Sequence, residues 1–340
     1  MTSKYPTFDR SRLRLLSLAQ RRHDVTVDRI LAVGQCPMPY DHPDLPALAQ
    51  AIRDARSRGS AVVVMMGAHV IKQGLSRYII DLIRGGWISV LACNGACAIH
   101  DYELSRIGAT SESVARYISE GQFGLWRQTG QLNDVLAAGN AEGLGLGEAL
   151  GRHVAGGDFA HKDVSVFGAA YEAGVPATLH VGIGYDIVHE HPNFDGAAIG
   201  EGSYRDFLIF ARVVENLEGG VVLCLGSAVM GPEVYLKALA MARNVACGEG
   251  RSIVHIISGV FDILALGGDK AGDYHRWLQD KDKDKDSRAE APKDSPDYYY
   301  RPYKTMLIRT VRDGGRGYYF RGDHRATIPA LHRLLSNGRS

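Results

Sequence analysis

The sequence predicts an α/β fold built on a parallel sheet, and two observations carry that prediction. Twice, a run of β-branched and apolar residues ends at a glycine and gives way at once to a helical pattern. The first copy is Ala61 to Met66, then Gly67-Ala68-His69, then Val70 to Arg84; the second is Gly220 to Leu225, then Gly226-Ser227-Ala228, then Pro232 to Asn244. Each is followed by another strand-like run, Ile88 to Leu91 and Ser252 to Ile257, so each reads as a strand-helix-strand unit with parallel strands and a right-handed crossover. A tight glycine turn at a strand's carboxyl end lets backbone N–H groups and a helix N-terminus face a phosphate, the usual way such a sheet holds a dinucleotide. Neither turn is a G-x-G-x-x-G fingerprint, and ordinary strand-to-helix loops also favour glycine. Taken alone, the turns fit two well-packed units more readily than a phosphate cradle.

Composition sets the bounds. With 340 residues, 45% of them hydrophobic, the chain can bury a large core in one big domain or two ordinary ones. Lys plus Arg (39) nearly balances Asp plus Glu (38), so no overall basic field favours nucleic acid or an anionic membrane. No apolar run has the length of a membrane span, and Met1-Thr2-Ser3-Lys4-Tyr5-Pro6 lacks a signal peptide's apolar stretch; a cytoplasmic location is expected. Cys36, Cys93, Cys97, Cys224 and Cys247 are odd in number and sit mostly in apolar segments, which argues for buried small hydrophobes rather than a disulfide framework. Cys93 and Cys97, a C-x3-C pair without a second pair, are poor zinc evidence.

Along the chain, residues 1–58 read as a helical N-terminal arm, with helical spacing in Asp9 to Arg21 and Leu45 to Arg58. Residues 59–340 read as one domain. In its first unit, Val62-Val63-Val64 is a buried-strand run, and Ile71, Leu75, Ile79, Leu82 and Ile83 mark one helical face. Alanine, leucine and glycine between Ser111 and Val154 suggest helices on the sheet, followed by a helix from Val164 to Glu172 and a strand from Ala177 to Val181. Residues 279–296 have almost no apolar content and read as a solvated, disordered insertion. Two strand-like runs, Thr305 to Thr310 and Gly317 to Phe320, and a helix from Ile328 to Leu335 close the chain.

The segment richest in reactive groups is His180 to Asn193. It follows a strand, so it lies at the sheet's carboxyl edge, where open α/β folds place ligands. Asp186, His189, Glu190 and His191 could form an acid/base cluster, bind a metal through N and O atoms, or line a polar pocket for a cationic substrate, with Asp186 and Glu233 as partners for an amine. An exposed loop with hydrogen-bonded histidines fits the same residues. Downstream, Asp195 to Gly202 reads as a flexible glycine stretch before a helix from Tyr204 to Leu217, either a mobile cover or a plain loop.

Three blocks in order resemble the deoxyhypusine synthase family: Gly67 to Leu75 with Trp87 to Leu91 and Asn94-Gly95-Ala96; Gly226 to Gly231 with the helix ending at Ala242-Arg243-Asn244; and Phe261-Asp262, Arg301-Pro302 and Gly322-Asp323 before a Pro-anchored helix. The match is partial over most of residues 60–336, as in a distant relative. The resemblance implies a Rossmann-like domain with helices on both faces, a homotetramer, bound NAD, and transfer of an aminobutyl group from spermidine to a protein lysine, or to a diamine as in homospermidine synthases. It places Gly67, Ala68, His69, Asn94, Gly95, Ala96, Gly226 and Ser227 at NAD, and Asp262 and Asp323 as acidic residues there, where a carboxylate can accept ribose hydroxyls; surface or capping aspartates fit as well.

The departures are plain. Pro232-Glu233 stands where the family has consecutive histidines, and its Gly-Ser-Asp-Ser-Gly and Trp-Gly-Lys stretches are absent. Lys304 is the one lysine near the imine-forming position, and it would need a depressed pKa to attack as a free amine. The expectation is an NAD-dependent enzyme, of the transferase type, that oxidises an amine or polyamine to an imine and then transfers or reduces it. In that scheme Glu233 or Asp186 binds the ammonium, His189 or His191 moves protons, and Lys304 holds the carbon fragment. A non-catalytic nucleotide-binding partner subunit and a metal-assisted hydrolase using His189 and His191 are the alternatives.

Overall fold

A computed structural model describes residues 4–266 and 296–336. The charged stretch expected at 279–296 lies outside them, apart from Pro296. A two-stranded ribbon joins β1 (Val25–Thr26) to β4 (Ala109–Thr110), antiparallel. The body is a six-stranded parallel sheet made of β2 (Val62–Met66), β3 (Val90–Asn94), β5 (Ala177–His180), β6 (Val221–Leu225), β7 (Ile257–Asp262) and β8 (Arg316–Arg321). Its order is β5-β3-β2-β6-β7-β8. From β2 the chain steps outward through β3 to β5, then returns to the other side of β2 for β6, β7 and β8. The order therefore reverses between β2 and β6.

Helices cover both faces, which is why the central strands are apolar throughout rather than alternating. Val62, Val64 and Met66 of β2 point into one core with α1 (Leu45–Arg58), α3 (Ser76–Arg84), α4 (Gly95–Ile107), α7 (Leu146–Gly156), α8 (Val166–Glu172) and α11 (His324–Ser336). Val63 and Met65 point into a second core with α9 (Gly196–Val214) and α10 (Met230–Gly248). The short α2 (His69–Lys72) and α5 (Val114–Ser119), and α6 (Arg127–Ala141), complete the helices used below.

Several expected elements change form, each for a local reason. Asp9 to Arg21 is not one helix; it holds only 3-10 turns at Arg10–Arg12 and Leu18–Gln20. The segment is tied across the body instead, with Arg10 Nη1 donating to the carbonyls of His191 and Phe194 (3.3 and 2.8 Å) and Leu18 N to Gln128 Oε1 (2.7 Å). The helix expected from Val70 to Arg84 breaks at Gly74, whose φ of +80° and 2.4 Å approach of an ideal Cβ to Arg29 O leave no room for a side chain. The strand expected at Ser252 to Ile257 begins only at Ile257, because the Glu218 carboxylate accepts from Val254 N and His255 N in place of a neighbouring strand.

Thr305 to Thr310 is a π-helix, Tyr303–Arg309, not a strand. Met306, Leu307 and Ile308 are all buried, and a short apolar run buried on every side has no periodicity to tell helix from strand. Asp195 to Gly202 is neither cover nor loop: it is the start of α9, where Asp195 Oδ1 accepts from Ala197 N and Ala198 N. Gly202 serves contact rather than flexibility, since a Cβ there would stand 2.4 Å from Leu146.

Candidate functional site

The two glycine turns meet. Gly67 N donates to Leu225 O (3.0 Å), and a Cβ on Gly67 would lie 2.1 Å from Gly226 O. Gly226 itself has φ +61°, the left-handed region, with the His324 ring over its Cα. Both turns thus sit at the carboxyl ends of β2 and β6, where the strand order reverses and open α/β sheets bind ligands. Ala68 is buried behind them, and His69 is exposed at the start of α2.

Beside this point lies a cleft of about 860 Å³, within the range of small-molecule and cofactor sites. Its walls bring together Asn94, Gly95, Ala96, Gly226, Ser227 and Asp186, with Glu233 and Arg301 at another side. Asn94 caps α4, its Oδ1 accepting from Cys97 N (3.2 Å), so the first free N–H groups of that helix open beside the cleft. Ser227 is held by donation from Gly231 N to its Oγ (3.0 Å).

Asp186 is the reactive group that the fold places most pointedly. Its carboxylate lies against α4, where a Cβ on Gly95 would be 2.1 Å from Oδ2. Burial pushes its pKa up to about 6, and the ring nitrogen His189 Nε2 is 3.9 Å away. It borders the cleft on one side and a smaller hollow on the other.

The neighbouring histidines are structural props. His189 Nδ1 accepts from Gly184 N (3.0 Å) and Asp186 N (3.2 Å), closing the turn that presents Asp186. His191 is fully buried against Gly130, with Nε2 bonded to Gly124 O (2.9 Å). Burial lowers the pKa of both, and among the described residues no three His, Cys, Asp or Glu side chains converge as metal ligands.

The other expected residues are committed to partners or lie outside the cleft wall. Glu233 is paired with Arg301 (2.6 Å) and with Lys237, which together hold its carboxyl below the usual range. Asp262 Oδ2 accepts from Tyr300 OH (2.7 Å) and Oδ1 from Ile263 N (2.7 Å), while Asp323 Oδ1 accepts from Arg325 N (2.8 Å); both sit at the carboxyl ends of β7 and β8. Lys304 is on the π-helix with its ammonium 4.6 Å from the Tyr298 ring centroid, and it is not part of the cleft wall.

Three residues at the site escape sequence reading. His324 packs on the Gly226 turn with its Nδ1 buried and unpartnered. His100 and Lys72 line the smaller hollow beside Asp186. His324 stands far downstream, and His100 and Lys72 occur singly in helical stretches, so no local pattern marks them.

A family model described as arginine dihydrolase ArgZ-like, C-terminal, Rossmann fold matches residues 46–143. The apo structure of ArgZ, an arginine dihydrolase from the ornithine-ammonia cycle in cyanobacteria, is 14% identical with a TM-score of 0.50, covering 88% of this chain and 33% of that one. The ternary complex of AgrE with ornithine and NAD+ is 15% identical with a TM-score of 0.45, covering 86% and 32%. A protein of Entamoeba histolytica assigned as a deoxyhypusine synthase is 7% identical with a TM-score of 0.38, covering 87% of each chain. The chain thus spans about a third of the length of ArgZ and AgrE. No curated protein matches the sequence. The deoxyhypusine synthase likeness reappears only at that low level, and what the family model and the strand order together establish is the fold, a Rossmann-type sheet with its switch point between β2 and β6.

Proposed function

We propose that the chain binds NAD across the switch point and oxidises or reduces a small amine held beside Asp186. The observation that carries this reading is the contact of the two turns, in which Gly67 and Gly226 allow backbone to approach backbone at the one place where the sheet opens a crevice. A side chain at Gly67 would run into the Gly226 carbonyl and one at Gly226 into the His324 ring, so either would distort the turns that border the cleft. The N-terminus of α4 and the Gly226-Ser227 turn would face the pyrophosphate, where N–H groups and the helix dipole favour negative charge. When bound, NAD supplies the hydride acceptor. Asp186, desolvated and weakly partnered, would hold the amine's cationic form.

Aminoalkyl transfer of the deoxyhypusine synthase type has less support, because Lys304 does not reach the cleft wall and Glu233 is already neutralised by two cations. Oxidation without transfer is the better reading. A polyamine fits this scheme, and so does ornithine, named with NAD+ in the AgrE complex. Light scattering of the purified chain tests the homotetramer that the resemblance implies.

Ala228 lines the cleft and is exposed, so Ala228→Glu adds a negative charge without disturbing the core. Titration of NAD+ and NADH into purified protein should show saturable binding that this variant weakens about tenfold or more. No saturable binding to the wild type, or binding indifferent to Ala228→Glu, would sink the proposal. Saturable binding with no hydride transfer from any amine would favour the non-catalytic partner subunit instead.

A further inference from the structure

Behind Asp186 lies a second hollow of about 180 Å³, space for about six waters. It shares the wall formed by Ala96, Tyr185 and Asp186 with the larger cleft, and neither the turns nor the expected cluster accounts for its lining. Its chemistry can be read from one chain of hydrogen bonds. Glu103 receives both guanidinium nitrogens of Arg21 (2.9 and 2.7 Å), and the pair is almost entirely buried. Despite burial, Arg21 and the hydroxyls of Thr110 and Thr129 hold the Glu103 carboxyl below its ordinary range, so it is ionised and can only accept.

The 2.6 Å contact between Thr110 Oγ1 and Glu103 Oε2 therefore uses the single hydroxyl proton of Thr110. The 2.8 Å contact between Thr110 Oγ1 and His100 Nδ1 must then use a proton on His100. Nδ1 carries a hydrogen, and Nε2 has no protein partner among the described residues. The relay Glu103, Thr110, His100 fixes the hydrogen at Nδ1, so the neutral ring presents Nε2 as an acceptor at the hollow. Burial reinforces this, with Arg21, Lys72 and His69 opposing protonation and Glu103 alone favouring it.

Two further groups complete the lining. Lys72, at the end of α2, has no ion pair among the described residues and supplies an uncommitted positive charge. Asp186 supplies a weakly partnered carboxylate on the shared wall. Glu112 is occupied, its two oxygens accepting from Gly124 N (3.0 Å) and Trp126 Nε1 (2.6 Å). Ser111, also in the lining, has φ +65°, the one non-glycine residue with positive φ among the described residues; such backbone strain collects at ligand sites.

We infer that this hollow binds a small zwitterion of the amino-acid class, with its anionic group at Lys72 and its ammonium donating to His100 Nε2 and Asp186. A dication would leave Lys72 opposed, and a simple anion would leave the acceptor and the carboxylate unused. The inference gives a substrate class to the reading above and rests on that reading only for the word substrate; binding stands by itself.

The test is calorimetric titration of the full chain with small neutral, acidic and basic L-amino acids, with putrescine and acetate as single-ended controls. At least one amino acid should saturate the wild type and bind about tenfold or more tightly than either control. His100→Phe and Lys72→Met should each weaken it about tenfold or more while leaving the NAD+ titration unchanged. Independently of any variant, the nitrogen resonance of His100 in the wild type should report an unprotonated Nε2 that shifts on addition of the amino acid. No amino acid binding to the wild type, binding unaffected by both variants, or a protonated Nε2 would each overturn the inference. Amino acid binding without NAD binding would sustain the hollow as a site and defeat the dehydrogenase reading.

Discussion

Asp206 shows how a carboxylate can serve structure and still carry a cost. It sits on α9, fully buried, and its Oδ2 accepts from Gly147 N (2.9 Å) and Leu179 N (2.7 Å), pinning the start of α7 to β5. Desolvation raises its pKa from 3.8 to about 7. The native state therefore holds a proton that the unfolded chain has released between roughly pH 4 and 7, so this contribution is complete below pH 4 and is lost as pH rises through 7. Asp206→Asn keeps an acceptor and removes the titration. Relative to wild type, its stability in urea melts should improve from pH 4 to pH 7.5 by about 1–4 kcal/mol. A difference that does not change with pH would show that Asp206 ionises normally in the fold. Asp101, raised to about 7, adds a limb of the same sign in both proteins. His100 and His180, lowered to about 4 and about 3, act oppositely and lose stability as pH falls below 6.5. At this scale the position of Asp186 beside the cleft was legible, because a polar cluster after a strand has one natural place to go. The setting of His100 was not, since it depends on Thr110 and Glu103, which reach it only in the fold.

Among elements, the strand-to-turn-to-helix units were the most readable and the irregular connections the least. α1 matches the expected span from Leu45 to Arg58, and β2 and β6 match theirs to within a residue, because long apolar runs and strong periodicity leave little choice. The errors at Gly74, Ser252 to Ile256 and Thr305 to Thr310 share a cause: partners distant in sequence, Arg29, Glu218 and a core on all sides, decide the backbone there. Gly67→Ala tests the most consequential of the close contacts. A methyl group 2.1 Å from Gly226 O forces the β2 and β6 turns apart, and we expect a loss of about 2–4 kcal/mol in urea denaturation together with loss of NAD binding. Full stability with the methyl in place would mean that the turns are more yielding than their contact implies.

Across the whole molecule, the strand order and its reversal follow from where the long connections fall. The expectation of helices on both faces holds, and no helix among the described residues is long and apolar enough to cross a membrane. A sheet with β2 paired to β3 on one side and β6 on the other gathers its central strand's neighbours from residues 90–94 and 221–225, so the second pairing waits on more than 150 residues of intervening chain. Such non-local pairing is slow to form.

That position has a consequence for the chain before it is folded. Ala61 to Met66 is a six-residue stretch of alanine, valine and methionine without charge or proline, wholly buried once docked, and until β6 arrives one of its edges is open. Short segments of this composition pair readily with copies of themselves. Refolding from urea should therefore lose yield steeply as protein concentration rises, with light scattering growing in step; a yield independent of concentration would show that β2 is shielded early. The strand that builds the switch point is also the one that a cell must keep covered during synthesis.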